Sequence, residues 1–525
     1  MSSVYTDPCR DAVIRARPAD AVCPHTKRLW VLAATILGSA MAFIDGTVVN
    51  VTLPIIQADL GASATEVQWI VESYALLLAA LILVGGALGD KYGRRRLFAV
   101  GAVLFGLASL WSGLAETTFT LILARAAQGV GAALLIPGSL ALIAASFPKE
   151  ERGAAIGTWS AASALTMAAG PVLGGWLAET FSWRWIFFIN IPLALVVVAI
   201  VMARVPESKS DDGAALDWLG AGLSTLGLGA ITYGLIQAAH AGLADPMVLM
   251  TVAMGFVLLL TFVWHLRRSP NPLVPLALFR SQTFTGANTL TFFVYAALGF
   301  SMFVLPLNLI QVQGATATQA AMIFLPFVFV MAVGSRFTGG LSDRLGPRVL
   351  LVTGPTITAL GYGALMVPGM VSSFWVGFLP AIVIMSVGMV ITVPPLTNTV
   401  MSSVDDRQSG LASGTNNAVS RVAALIAIAG LGLIFNTISD TAFLNALPPG
   451  FGFVGEQASF TPAFGALPPG LADAPTLVLS QLNLAADQAF VAAFRFTMAI
   501  CAGLCLMGAI SAWILIDPPK KRGTA

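Results

Sequence analysis

The sequence predicts an all-α integral membrane protein with fourteen membrane-spanning helices. Of its 525 residues, 57% are hydrophobic and only 10% are charged. A water-soluble domain carries about 25% charged residues, so much of this surface faces something other than water. Apolar runs of at least ~18 residues recur along the chain, and each can cross a hydrocarbon core about 30 Å thick. Lysine and arginine are concentrated in alternate loops, on one side of the membrane, as a count of fourteen requires.

Charged residues and Pro/Gly clusters separate the apolar runs and set the limits of each span. The first run follows a polar tail and is too long for a signal-peptide core, so we expect it to remain as an uncleaved span. The predicted spans are residues 30–54, 67–88, 97–114, 119–145, 153–177, 184–203, 217–237, 247–266, 284–310, 319–341, 348–368, 373–399, 414–436 and 490–515.

The charge distribution places both termini in the cytoplasm. Fourteen is an even number, so both ends of the chain lie on one side. Twenty-three of the 27 Lys and Arg residues fall in the tails and loops of that side, and basic residues are retained in the cytoplasm. Only Arg184 lies clearly on the far side. We therefore expect a multi-pass protein of the cell (inner) membrane.

The spans group into two halves with a pair of helices between them. The longest segment between spans, residues 437–489, contains four acidic residues but no Lys or Arg, as an external loop should. Residues 471–489 could form a short interfacial helix. The predicted regions are a cytoplasmic tail at 1–28, a six-helix half at 29–205, two linker helices at 206–268, a second six-helix half at 269–516 that includes this outer loop, and a cytoplasmic tail at 517–525.

A short polar motif occurs twice, 253 residues apart, after the second and tenth spans. Its glycines allow a tight turn, its aspartate can accept hydrogen bonds from a helix N-terminus, and its arginines can pair with carboxylates or lipid phosphates. A basic signal that only fixes topology would not need this spacing. The repeat indicates two related halves that rock against each other. The motif residues are Gly86, Asp90, Gly93, Arg94 and Arg95, then Gly340, Asp343, Arg344, Gly346 and Arg348.

Two carboxyl groups within spans are candidates for proton binding. A charge inside the hydrocarbon costs ~2.5–3.5 kcal/mol on insertion scales, so such residues are functional candidates. Asp45 lies deep in the first span, where a carboxyl could bind a proton near neutral pH or a cationic substrate. The alternative is a permanently paired structural aspartate. Glu72 could be a second proton-binding carboxyl, part of the outer substrate path, or an interfacial glutamate that reaches headgroup water.

Two other polar or kinked segments are candidates for coupling. Arg125 stays protonated, so it would act by pairing with a carboxylate, with Gln128 on the same helix face. The alternative is a plain tether between helices. The four residues Gly170, Pro171, Gly174 and Gly175 would kink a helix and admit a close neighbour, as a bending point or as ordinary small-residue packing.

These motifs together resemble the major facilitator superfamily, and within it the fourteen-helix drug:proton antiporters (the EmrB/QacA type). The repeated loop resembles the signature between the second and third helices of the superfamily. Residues 44–54, 121–133 and 170–175 resemble the first-helix, arginine and antiporter motifs of that group. The resemblance covers nearly the whole chain outside the N-terminal tail and residues 437–489. Thr166 replaces the glycine that usually begins the antiporter motif.

The resemblance implies a major facilitator fold of two six-helix bundles plus two extra central helices. It implies a proton-coupled antiporter that exports amphipathic small molecules, with organic cations among the candidates, and an acidic residue is frequent at the position of Glu72. The expected partners are the substrate, protons, the lipid bilayer and a periplasmic adaptor where a second membrane must be crossed, with no cofactor or nucleic acid. The alternative is a dedicated exporter of one endogenous metabolite, lipid, peptide-like antibiotic or siderophore. A membrane enzyme would need a catalytic cluster, which the sequence lacks.

Overall fold

The computed structural model is almost entirely helical over the residues it describes, which are 14–15, 25–209, 217–370, 372, 374–404, 409–447 and 476–517. Two short strands, β1 (Ile14–Arg15) and β2 (Ser208–Lys209), pair in parallel. The helices are α1 (His25–Leu60), α2 (Ala64–Tyr92), α3 (Arg94–Gly113), α4 (Thr118–Ser146), α5 (Lys149–Thr180), α6 (Trp185–Phe188), α7 (Asn190–Arg204), α8 (Trp218–Ala241), α9 (Pro246–Arg268), α10 (Gln282–Leu307), α11 (Ala317–Met322), α12 (Phe324–Leu345), α13 (Pro347–Ala364), α14 (Leu379–Ser402), α15 (Ser409–Ala446) and α16 (Thr476–Leu515).

Each of the fourteen predicted spans coincides with a helix or with two consecutive helices. Within the described ranges, 12 helices are long and apolar enough to cross a membrane. The two predicted spans outside that group, 153–177 and 348–368, correspond to α5 and α13. The extended apolar surface belongs to lipid-facing helices such as α9, where Met250, Phe256 and Leu260 are more than half exposed.

The chain forms two compact units. The first comprises residues 1–49, 69–226 and 258–275, and the second comprises residues 50–68, 227–257 and 276–525. In the second unit α13 and α14 approach closely, because Gly361 lies against the Met385 backbone, where an added Cβ would come within 2.6 Å of the amide nitrogen. Small residues let membrane helices approach at backbone distance, and this contact is one example.

In the first unit, Gly85 makes the tightest contact between α2 and α4. A Cβ on Gly85 would overlap the Ala133 carbonyl oxygen, whereas a Cβ on the neighbouring Gly86 would meet the Pro137 Cβ at an ordinary 3.5 Å. The repeated motif drew attention to Gly86, but the close approach depends on Gly85. Backbone cannot rotate away as a side chain can, so the two glycines tolerate substitution differently.

Gly85→Ala is therefore expected to destabilise the protein by about 3 kcal/mol or more, because α2 and α4 must separate. Gly86→Ala is the matched control and should leave folding unchanged. Monodisperse yield and the midpoint of thermal unfolding in detergent measure both. Equal behaviour of the two variants would contradict the assigned contact.

Asp217 joins α8, α9 and the chain after α9. It accepts hydrogen bonds from the Gly220 amide at 2.8 Å and from the Leu273 amide at 2.9 Å, and its Oδ1 lies 2.6 Å from His265 Nε2. Burial raises the pKa of Asp217, but the bonds from Gly220, His265 and Leu273 outweigh it and lower the pKa below its ordinary value. The carboxylate therefore stabilises the start of α8 and the end of α9.

A carboxyl with a lowered folded-state pKa stabilises the protein fully above its unfolded pKa of about 3.9. That stabilisation is lost as the pH falls through the folded-state pKa. Asp217→Asn should therefore lower the unfolding midpoint at pH 7, and the difference from wild type should shrink below about pH 4 and vanish below the folded-state pKa. Thermal unfolding of wild type and variant across pH 3–8 measures this difference in midpoint. A difference that grows toward acid pH would contradict this role.

The predicted outer loop at 437–489 is wrong at both ends, because α15 continues to Ala446 and α16 begins at Thr476. Phe443 packs against Leu482, Ala485 and Ala489, so the two helices cover each other beyond the predicted limits. Residues 476–489 belong to a 40-residue helix rather than to a separate interfacial one. The rest of the predicted loop, 448–475, lies outside the described residues.

Candidate functional site

Asp45 lies at the centre of a buried polar network in the first unit. Its side chain is 0% exposed and forms an ion pair with the guanidinium of Arg125 on α4. Its other oxygen accepts hydrogen bonds from Gln128 Nε2 at 3.0 Å and from Asn190 Nδ2 on α7 at 3.4 Å. Three helices thus converge on one carboxylate, and the predicted coupling residues Asp45, Arg125 and Gln128 are in direct contact.

Arg125 is enclosed on all sides by groups that suit a cation. Its Nε donates to the Ile70 carbonyl at 3.3 Å, and its Nη1 also donates to Gln128 Oε1 at 2.9 Å. The guanidinium carbon lies 4.4 Å from the centre of the Tyr74 ring, a cation–π distance. Tyr74 in turn donates its hydroxyl to the Ala42 carbonyl at 3.0 Å, one turn before Asp45. The positive charge is therefore held in place even without Asp45.

Gln128 links the ion pair to α3. Its Oε1 accepts from Ser112 at 3.0 Å, and its Nε2 donates to Ser109 at 2.7 Å. Both serines are fully buried and lie one turn apart on α3. Sequence reasoning missed Ser109, Ser112 and the role of Tyr74. The available signal was weak, since serine and tyrosine are common in membrane helices and their spacing does not show which helix they face.

This arrangement gives protonation of Asp45 a structural consequence. A buried ion pair is strongly destabilised when one partner loses its charge, by ~3–5 kcal/mol when a partner is removed. A proton on Asp45 would remove its ion pair with Arg125 and weaken the bonds from Gln128 and Asn190. The network can thus convert a proton into a change in how α1 packs on α4 and α7.

Glu72 lies on α2 and is also fully buried, with 0% exposure. Neither carboxyl oxygen has a hydrogen-bond partner among the described residues. The interpretation of Glu72 as an interfacial glutamate in contact with headgroup water is therefore wrong: the surrounding helices enclose the side chain. The structure does not hydrogen-bond Glu72 to Asp45 or Arg125, so the two carboxyls form separate sites.

The glycines of the antiporter motif bring α5 onto α1 beside Asp45. A Cβ on Gly170 would overlap Thr47 Oγ1 and lie 3.1 Å from the Ile44 carbonyl, and one on Gly174 would overlap Val48. The contacted residues flank Asp45 on both sides. Pro171 lies inside α5 and is buried, as is Gly175. The close contact expected from these small residues is present, and a bending role remains a prediction.

In the first copy of the repeated motif, Asp90 pairs with Arg94, with Nη2 2.7 Å from Oδ1. The expectation that Asp90 accepts from a helix N-terminus is not met in the contacts described. Glu207, which sequence reasoning missed, takes that role: its Oε1 accepts from the Arg95 amide at 3.0 Å, in the first turn of α3. A carboxylate is favourable at a helix N-terminus. Gly93 has a φ of 111°, and a side chain there would collide with Glu207.

The second copy has the same backbone turn. Gly346 has a φ of 81° and directly precedes α13, as Gly93 directly precedes α3. Arg348 donates to the Trp513 carbonyl of α16. Gly340, Asp343 and Arg344 lie within α12, but their side chains are outside the described part of the chain. The shared turn accounts for the repeated glycine.

Comparison with known proteins agrees with this fold. The sequence pattern of the Major Facilitator Superfamily matches residues 35–428. Multidrug resistance protein Stp of Mycobacterium tuberculosis is 35% identical over 412 residues, 78% of this chain and 76% of that protein. Puromycin resistance protein pur8 of Streptomyces alboniger is 32% identical over 512 residues, 96% of this chain and 95% of that protein.

A third relative, the probable actinorhodin transporter of Streptomyces coelicolor, is 32% identical over 451 residues, 83% of this chain and 75% of that protein. Among solved structures, an inward-facing, unoccupied bacterial homolog of the human lysosomal transporter Spinster superposes with a TM-score of 0.64 at 18% identity. That superposition covers 95% of this chain and 100% of the homolog. The chain belongs to the Major Facilitator Superfamily.

Proposed function

We propose that this protein is a proton-coupled antiporter of the cell inner membrane that exports amphipathic small molecules, including organic cations. Its relatives are named for resistance to many drugs and to puromycin. The observation that carries the proposal is the buried Asp45–Arg125 pair beside the α1–α5 contact. A charged carboxyl group at this depth in the membrane is energetically costly, so its presence indicates a function. Its buried position allows it to bind and release a proton.

The proposed cycle uses the two buried carboxyls in turn. A proton that enters from outside binds Glu72 or Asp45 while these carboxyl groups are accessible from that side. Protonation of Asp45 weakens its bonds to Arg125, Gln128 and Asn190, so α1 can shift against its neighbours. Release of the proton to the cytoplasm restores the ion pair between Asp45 and Arg125. Substrate is released to the outside in the other half of the cycle. Both termini are cytoplasmic in this scheme, in agreement with the distribution of Lys and Arg.

Everted membrane vesicles test this function. Respiration acidifies the vesicle lumen, so an antiporter releases protons from the lumen as it takes substrate in, and a pH-gradient dye recovers its fluorescence. We expect substrate-dependent recovery that requires this protein and is lost in Asp45→Asn. No recovery with any amphipathic compound, or substrate uptake that persists after the proton gradient is collapsed, would overturn the proposal.

A second candidate is export of one endogenous metabolite. It is favoured by the similarity to a probable actinorhodin transporter of Streptomyces coelicolor. The same vesicles, tested with a panel of unrelated amphipathic compounds, separate the two. Recovery with many compounds indicates multidrug efflux, whereas recovery with a single natural product indicates a dedicated exporter.

A further inference from the structure

One face of α15 carries buried polar atoms that have no partner in the part of the chain that the structure describes. Asn436 and Ser439 are 1% and 0% exposed, and Asp440 is half-buried. The atoms Asn436 Oδ1, Ser439 Oγ and Asp440 Oδ1 are buried and have no hydrogen-bond partner among the described residues. The spacing i, i+3, i+4 places all three on the same side of the helix.

The free hydroxyl of Ser439 is unusual for this helix. Hydroxyl groups inside helices commonly bond to the carbonyl one turn earlier. Thr437 and Thr441 do so, to Leu433 at 2.9 Å and to Thr437 at 2.8 Å. Both threonines are on the exposed side of α15. Ser439 is buried and makes no such bond, so its hydroxyl is available to a ligand.

A neighbouring helix, α2, presents a further unpartnered group to this face. Gly432 lies two turns before Ser439 on the same side, and a Cβ there would come within 2.5 Å of Gln68 Nε2. That buried amide nitrogen has no partner among the described residues. The glycine therefore leaves room for Gln68 beside the polar face. Gln68 and α15 belong to the same compact unit.

α10 packs along α15. Asn416 donates to Asn288 at 3.1 Å, and the rings of Phe300 and Phe435 lie 6.4 Å apart, so α10 and α15 run in the same direction. Asn308 is about two turns beyond Phe300, whereas Ser439 and Asp440 are only about one turn beyond Phe435, so Asn308 does not lie at the level of the polar face. Asn308 Oδ1 is buried and unpartnered among the described residues, as is Gln311 Oε1 of the following π-helix (Asn308–Val312).

The chemistry of these groups specifies their ligand. At this face Asn436 Oδ1 and Asp440 Oδ1 only accept, and Ser439 can also accept, whereas Gln68 Nε2 only donates and does not itself bind a cation. Asp440 adds negative charge, and no described Lys, Arg or His forms an ion pair with it. A ligand for this set must carry positive charge and several N–H donors. A protonated primary or secondary amine meets both requirements, whereas a quaternary ammonium has the charge but no donor.

We propose that Asn436, Ser439 and Asp440, with Gln68 beside them, form a binding site for the protonated amine of a transported molecule. The site is separate from the Asp45 network and lies at the end of α15 that the charge distribution assigns to the external side. It rests on the proposed export function and adds a preference to it: amines that retain N–H donors bind here more tightly than quaternary cations of the same size.

Binding to the purified full-length protein in lipid nanodiscs tests the site, with 4-phenylbutylammonium and its N,N,N-trimethyl analogue as probes in calorimetry. We expect wild type to bind the primary amine at least ~10-fold more tightly. Ser439→Ala and Asn436→Leu should remove that preference with little effect on the trimethyl compound. Asp440→Asn should weaken both. Thr437→Val, on the exposed side of α15, is the matched control and should bind as wild type.

Unfolding midpoints separate lost binding from lost folding. Removing an unpartnered buried polar atom should not lower the midpoint, so a variant that keeps its midpoint and loses the preference supports the site. Equal affinity of wild type for the two probes overturns the site, as does unchanged amine binding in both Ser439→Ala and Asn436→Leu. Suppression of amine binding by sodium chloride, but not by choline chloride, would assign the oxygens to a metal cation instead. Failure of antiport in vesicles with amine selectivity intact would reject the export function alone.

Discussion

Arg125→Leu is expected to lower the stability of the protein by ~3–5 kcal/mol, because it leaves Asp45 buried and without its positive partner. Among the described residues, Asp45 would then retain the amides of Gln128 and Asn190 alone, at 3.0 and 3.4 Å. The midpoint of thermal unfolding in detergent, followed by tryptophan fluorescence, measures the loss. Export in vesicles should be abolished at the same time.

The double variant Asp45→Asn/Arg125→Leu identifies the cause. Removing the charge of Asp45 as well should recover a large part of the lost stability, while export stays absent. Ser109→Ala removes one hydrogen bond from the same network and serves as a comparison. It should lower the free energy of unfolding by only about 0.5–1.5 kcal/mol. If the double variant is no more stable than Arg125→Leu, the ion pair is not the main contribution of Arg125.

Glu72→Gln is expected to reduce proton-coupled export at least ~10-fold while leaving stability unchanged or slightly higher. An unpaired buried carboxylate is costly, so the neutral acid is the favoured form of a side chain that has no described partner. Glutamine matches that neutral acid in shape and cannot release a proton. The vesicle assay and the unfolding midpoint together measure the two effects.

Ser73→Ala is the matched control, since Ser73 is the next residue on α2, is buried and has an unpartnered hydroxyl among the described residues. It should export as wild type. Glu72→Asp keeps an ionisable group and should retain part of the activity. Full export by Glu72→Gln would remove Glu72 from the coupling mechanism and leave Asp45 as the only candidate of the two.

The sequence located the main charged residues of the site but not their surroundings. Asp45, Glu72 and Arg125 were identifiable because a charge within an apolar run is rare. Ser109, Ser112 and Tyr74 were not, because such residues are frequent in membrane helices. Glu207 was missed because it lies in a loop, where a carboxylate is ordinary, and its partner at Arg95 is distant in sequence.

Local composition also misled where packing extends a helix. Residues after 436 are polar enough to read as a loop, yet α15 continues to Ala446 because Phe443 packs on α16. Asp440 was therefore counted as a loop residue, whereas it lies on a buried helix face. Adjacent glycines gave a similar result: the motif pointed to Gly86, but the backbone of α4 approaches Gly85.

By itself the sequence determined the membrane location, the helical class, the repeated motif and the identity of the buried charges. These follow from composition and periodicity, which depend only on residues near one another in the chain. Only the tertiary structure decided that Asp45 pairs with Arg125, and that Glu72 and three oxygens of α15 have no hydrogen-bond partner among the described residues. Such contacts depend on how helices cross, and crossing is set by side chains far apart in sequence that meet only in the folded protein.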